Sequence, residues 1–311
     1  MIRMIPMIAI LCSLSGIARA DEEGAQLQSL LEKQSPAICT VKAVLKTEYK
    51  AAGQAQDQES KITLQGVVVD PEGIVMMSNM PFSPGRAMEM FGRGGEMGDF
   101  SVKATPSSLK VTFAKEDKEY DAFLAATDTK LDLVFIKVEG LGDRKLPFVD
   151  FGTGAELAIG QQVVAVARLK KGYDYAAYVQ TARVTGEIAK PRKAWMLQGG
   201  VSELGLPVFA MNGNAIGVLT TVPAAGKEEG GDDTMGFSMF MRLFSGGGGI
   251  GGGAFVVPGQ SIKLVVEQAK QRAVTIAADR AKKKEAAPTQ PAPAKKPATN
   301  AAPPTKKPGK P

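Results

Sequence analysis

Apolar positions along this chain recur mostly in short runs with a period near two, broken by glycine, proline, asparagine and aspartate. Between Pro36 and Gly140 such runs predict six strands: Ala37–Tyr49, Lys61–Asp70, Ile74–Ser78, Leu109–Ala114, Tyr120–Thr127 and Val134–Val138. A second set of six follows at Gln162–Ala167, Ala177–Glu187, Trp195–Gln198, Pro207–Met211, Ala215–Val222 and Ala254–Val257. Two strand clusters in succession, with no helical pattern between them, predict an all-β chain of two packed six-stranded antiparallel barrels rather than a parallel α/β sheet. Helical spacing occurs only at the ends. Leu27, Leu30 and Leu31 mark a short helix over Gln26–Lys33. A closing helix over Gln260–Arg280 carries Ile262, Val265, Val266, Ala269, Ala273 and Ile276 on one face.

Two segments interrupt the strand pattern. Residues 82–100 are rich in methionine and glycine, and residues 223–253 join an acidic patch, an apolar stretch over Met235–Phe244 and a glycine run. Loops this long within a compact domain are either functional or disordered. The glycine run has no following Gly-Lys-Ser/Thr, which excludes a phosphate loop. Met235–Phe244 either folds back onto its own barrel or docks a partner.

The N-terminus changes the picture of where the protein works. Arg3 precedes an almost uncharged apolar stretch from Met4 to Ile17, and Ala18-Arg19-Ala20 then supplies small residues before Asp21. This pattern predicts a signal peptide over residues 1–20 and export to the periplasm or cell envelope, with a buried N-terminal helix as the competing reading. The apolar run is too short for a membrane span, so no transmembrane segment is expected after cleavage. Cys39 is then the sole cysteine, and an intramolecular disulfide is excluded.

Charge is placed unevenly in this 311-residue chain, whose formal net charge is +6. Residues 281–311 hold eight lysines and one glutamate, whereas residues 21–280 hold 28 basic against 31 acidic groups. The basic character therefore belongs to a Lys/Pro/Ala-rich tail, expected to be disordered. Its spaced lysines support at most a non-specific attraction to an anionic polymer; a specific nucleic-acid partner is not expected. The expected organisation is a first unit over 21–140, a second over 141–280, and the tail over 281–311.

Three segments, taken together in their order and spacing, resemble the HtrA/Deg branch of trypsin-like serine proteases. The first runs from Gln65-Gly66-Val67 through Asp70-Pro71-Glu72-Gly73 to Ser78-Asn79-Met80, where the family carries a strand, a hairpin and a second strand ending in its histidine. Met80 falls on the histidine position. Ala126-Thr127-Asp128-Thr129-Lys130-Leu131-Asp132-Leu133-Val134 is similar to the segment bearing the catalytic aspartate, and Asp132 matches it. The third is Ser202-Glu203-Leu204-Gly205-Leu206-Pro207, where the family reads Gly-Asn-Ser-Gly-Gly-Pro; Leu204 takes the nucleophile's place. Ile159–Val166 and Gly253–Pro258 add weaker matches, so the likeness spans roughly residues 35–272. It implies a trypsin-like double barrel; a following PDZ domain is not expected, because the residues that remain are few and of low complexity.

The substitutions remove the chemistry that the resemblance would otherwise imply. A serine hydroxyl attacks only when an adjacent imidazole accepts its proton and a carboxylate orients that imidazole. Loss of serine or histidine alone costs on the order of 10⁶ in kcat in a serine protease. This chain contains no histidine at all, so none can be borrowed from elsewhere. The expectation is a pseudoprotease that binds unfolded polypeptide or an envelope protein, with no cofactor and no metal. The alternative is a residual serine-type endopeptidase with a non-standard site, for which Ser202 beside a desolvated lysine is the candidate.

Asp132 reads as a carboxylate retained with the fold, which needs donors if it is buried. Gly205 matches the glycine after the nucleophile, where backbone N–H groups form an oxyanion hole, and Leu206 replaces the next glycine. The site is therefore expected to be a filled apolar pocket. Gly205, with Phe255 and Val256 on the last barrel strand, is carried as the candidate peptide groove, entered by main-chain pairing at a strand edge. Met76, Met77 and Met80, followed by Met88, Met90 and Met97, offer soft thioethers that suit Cu(I); core filling and a flexible loop are the plainer account.

Overall fold

The computed structural model describes residues 22–51, 54–84, 101–114, 116–152, 156–221 and 254–285. The predicted signal region, the 85–100 and 222–253 segments and the tail beyond 285 lie outside them. The first barrel is built from β1 (Ile38–Ala51), β2 (Gln54–Asp70), β3 (Ile74–Ser78), β4 (Ser101–Phe113), β5 (Glu119–Asp128) and β6 (Leu133–Val138). These close in the order β1-β2-β3-β6-β5-β4. The second comprises β7 (Gln162–Arg168), β8 (Ala177–Ile188), β9 (Ala194–Gly199), β10 (Pro207–Ala210), β11 (Ala215–Thr221) and β12 (Ala254–Pro258), closed as β10-β11-β12-β9-β8-β7. Every pairing is antiparallel. Two six-stranded antiparallel barrels fit a trypsin-like double-barrel fold.

Burial explains the sequence pattern. The interior of the first barrel holds Val41, Val68, Val75, Met77, Val134 and Ile136, and that of the second holds Val163, Val184, Trp195, Val208, Ile216 and Val256. A third and larger cluster joins the barrels. It takes Ile38, Val67, Met76 and Phe135 from one and Val164, Val166, Phe209 and Val218 from the other. Strand β3 lies between two of these layers, so both of its faces are apolar and Ile74-Val75-Met76-Met77 reads as an unbroken run. Met76 and Met77, both fully buried, therefore point to opposite layers and act as core filling rather than converging on an ion.

Helix α1, over residues 22–34, buries Leu30 in the joining cluster, with Leu27 and Leu31 packed beside it. Helix α2 (Gly259–Glu285) buries Ile262, Val266, Ala269 and Ala273 there, four of the six positions expected on its apolar face. It runs five residues past the expected end at Arg280. Ion pairs fasten it to the first barrel, Lys270 to Asp70 at 2.9 Å and Arg280 to Glu139 at 3.2 Å. Among the described residues no helix is long and apolar enough to cross a membrane.

Two strands begin well before their predicted starts. β2 starts at Gln54 and β4 at Ser101. β1 pairs with β2 out to Ala51↔Gln54 and with β4 out to Lys50↔Ser101, so a three-stranded ribbon projects beyond the first barrel. Residues 55–59 are exposed, which leaves no buried face to impose an apolar alternation. Pro106 is tolerated within β4 because β5 pairs with that strand only over Lys110–Thr112, so that among the described residues Pro106 has a ladder neighbour on the β1 side alone.

Candidate functional site

The three segments that carry the family likeness converge where the barrels meet. Strand β3 ends at Ser78, and a tight turn over Met80–Phe82 follows. The Met80 amide donates to Ser78 Oγ at 3.2 Å, which fixes the turn, and the Met80 side chain is half-buried. Asn79, only 1% exposed, donates its amide to the Asp132 carbonyl at 2.9 Å. Its side-chain Nδ2 donates to Ser83 Oγ at 2.9 Å and lies 3.5 Å from Asp132 Oδ1.

Asp132 stands on the β5–β6 turn, which Asp128 shapes by accepting the Lys130 and Leu131 amides at 2.8 Å each. Its φ of +54° lies in the left-handed region, which a short polar side chain tolerates better than most. The carboxylate is buried, and Oδ2 accepts from Thr221 Oγ1 at 2.8 Å. Next to it, Thr220 Oγ1 donates to the Leu131 carbonyl at 2.6 Å. Both threonines belong to β11, so Asp132 ties one barrel to the other. A buried carboxylate is costly without donors, and here the second barrel supplies one.

The Leu204 turn meets β3 from the other side. Gly205 has φ +85°, and a Cβ there would fall 2.3 Å from the Ser78 amide nitrogen. Only a glycine allows this approach. Its own N–H donates to the Leu219 carbonyl at 2.7 Å and is not free for a ligand. Leu206 is 1% exposed in the joining cluster, so the side chain that replaces the family's second glycine fills core. Leu204 packs half-buried on the interior cluster of the second barrel. Ser202 is exposed, and among the described residues no hydrogen bond joins its hydroxyl to a lysine.

Phe255 and Val256 occupy a different setting. β12 pairs with β11 on one side, and on the other it pairs with β9 at Phe255↔Met196 and Val256↔Trp195. Val256 is fully buried and Phe255 packs against the joining cluster. Both flanks of the strand are taken at these two residues.

Among the described residues, an opening lies on the flank formed by β1, β2 and the β7–β8 hairpin. A cavity of about 570 Å³ is walled by Thr40, Lys42, Leu64 and Ser78 from the first barrel and by Arg168, Lys170, Lys171 and Leu204 from the second, among others. The cavity reaches Leu204 and carries several cations in its wall, while Met80 and Asp132 do not line it. Arg168 is its deepest cation, 8% exposed. Nε donates to the Ile38 carbonyl at 3.0 Å, one terminal nitrogen to the Tyr175 carbonyl at 2.9 Å and the other to the Ser35 carbonyl at 2.7 Å. The Arg168 amide donates to Gln65 Oε1 at 2.7 Å. Burial lowers the pKa of this guanidinium, and no carboxylate pairs with it among the described residues.

The sequence signals for this wall were faint: Arg168 is one charge closing the apolar run Val163–Ala167, and Lys170-Lys171-Gly172 reads as an ordinary polar turn. Asn79 and Thr221 carried no signal beyond their neighbours. No family model matches the chain, and no curated protein matches it.

Proposed function

We propose that this chain is an HtrA-like pseudoprotease of the cell envelope, a binding protein built on a protease scaffold. The observation that carries the reading is the fate of the site where the three likeness segments converge. Met80 and Leu204 offer neither a proton acceptor nor an attacking oxygen, and the one matching acid, Asp132, hydrogen-bonds to Thr221 instead of orienting an imidazole. Asp132 thereby does structural work between the barrels, which accounts for its retention without catalysis. The absence of histidine from the whole chain supports the same conclusion. The binding partner in this reading is unfolded polypeptide or a second envelope protein, and export rests on the signal pattern of residues 1–20.

A fluorophosphonate probe tests the loss of hydrolysis directly. The protein from residue 21 onward is expected to remain unlabelled and to leave casein intact, with the Ser202→Ala variant indistinguishable from it. Labelling that disappears in the variant would establish the residual-endopeptidase alternative. Retention of reduced, unfolded casein on the immobilised protein is the companion measurement. Its absence, together with no envelope protein co-purifying, would end the binding reading.

A further inference from the structure

Buried cations are normally paired, because removing charge from water is costly. The Arg168 side chain departs from this rule, being satisfied by three neutral carbonyls while no carboxylate among the described residues pairs with it in the wall of an open cavity. Two more cations join it. Lys170 and Lys171 are exposed at the same wall and enter no ion pair among the described residues. Lys42, by contrast, is already paired with Glu119. Glu203 is the single carboxylate in the wall. Since residues 21–280 carry more acidic than basic groups, this concentration of positive charge is local and does not follow from the net charge.

The cavity also offers main-chain pairing. Thr63, Leu64 and Gln65 of β2 line it, and β2 pairs with β3 only from Val67 to Asp70. Among the described residues, positions 54–66 therefore have a ladder neighbour on one side alone. Such an edge accepts an extended chain. Leu64, Leu169 and Leu204 supply apolar wall for its alternate side chains. A nucleic acid would find a single aromatic platform, Tyr175, and the chain's own Lys-rich tail has the wrong sign.

We propose that this cavity binds an acidic, extended polypeptide segment, with its carboxylates set against Arg168, Lys170 and Lys171 and its backbone along the open edge of β2. The inference rests on the polypeptide-binding reading above and assigns that reading a site and a charge preference. It places the contact on the flank of the scaffold opposite in character to the paired strand β12.

Fluorescence anisotropy of the protein from residue 21 onward, with a labelled dodecapeptide alternating Glu with Val and Thr, tests it. Two control peptides replace every Glu by Gln or by Lys. The acidic peptide is expected to bind best, with affinity falling as salt rises. In the Lys170→Glu/Lys171→Glu variant it should lose about ten-fold or more, and both lysines are exposed, so folding is unaffected. Leu204→Trp, which fills the cavity, should weaken the same peptide without altering the salt dependence that remains. Equal binding of all three peptides, or an unchanged affinity in the double variant, would overturn the site while leaving polypeptide binding in place. Failure of every peptide and of unfolded casein to bind would overturn both.

Discussion

Gly205 joins the barrels through the shape of its backbone rather than through any side chain. A methyl group at this position would meet the Ser78 main chain, and the φ of +85° is one that L-residues adopt only under strain. Gly205→Ala is therefore expected to destabilise the fold by about 2 kcal/mol or more, read as a lower midpoint in urea. A neighbouring change on the exposed face, Ser202→Ala, should leave the midpoint within about 0.5 kcal/mol. An unaltered midpoint for Gly205→Ala would mean that the turn does not touch β3. The sequence marked Gly205 for its place in a motif, whereas the contact that demands glycine is with a residue more than a hundred positions away. Asp132 is the parallel case: its motif position was legible, but the Thr221 hydroxyl that accommodates it lies across the barrel boundary.

Among the elements, strands with one or two buried faces were easy to recognise and the ribbon was not. The range of β3 matches its prediction because burial on both faces forces an apolar run. The outer halves of β2 and β4 are held by ladder hydrogen bonds to β1 with little apolar burial of their own, so their side chains carry no apolar alternation that records the pairing. Stability that rests on backbone bonds near solvent is local and easily lost. Amide hydrogen exchange should show residues 54–61 opening well before residues 74–78, the latter exchanging only with global unfolding. Equal protection of the two segments would show that the ribbon is part of the cooperative core. Helix α2 was recognisable from its apolar face, and its extra turn past Arg280 is explained by Arg280 itself, which reaches Glu139 and stacks 4.9 Å from the Phe123 ring.

For the molecule as a whole, the cluster that joins the barrels packs them against each other, and Cys39, buried in the interior of the first barrel, reports on the integrity of that barrel. Burial pushes its thiol from an ordinary 9.0 up to about 12. A raised folded-state pKa means that its contribution is complete below pH 9 and is lost between pH 9 and 12, by about 1.4 kcal/mol per pH unit. Stability of the protein from residue 21 onward should thus fall more steeply over that range than in its Cys39→Ala variant; identical slopes would contradict the burial. Local charge is equally a matter of assembly, since a domain acidic in sum places Arg168, Lys170 and Lys171 around one cavity. Strand number, barrel class, the two terminal helices and the absence of an imidazole were all determined by the sequence alone, because alternation, helical spacing and composition are properties of neighbouring residues. Which residues meet was decided only by the tertiary structure: the Asp132–Thr221 bond, the Gly205–Ser78 contact, the pairing of β12 on both sides at Phe255 and Val256, and the cationic cavity. Each of these depends on a distance between residues far apart in the chain, and no pattern of adjacent positions encodes it.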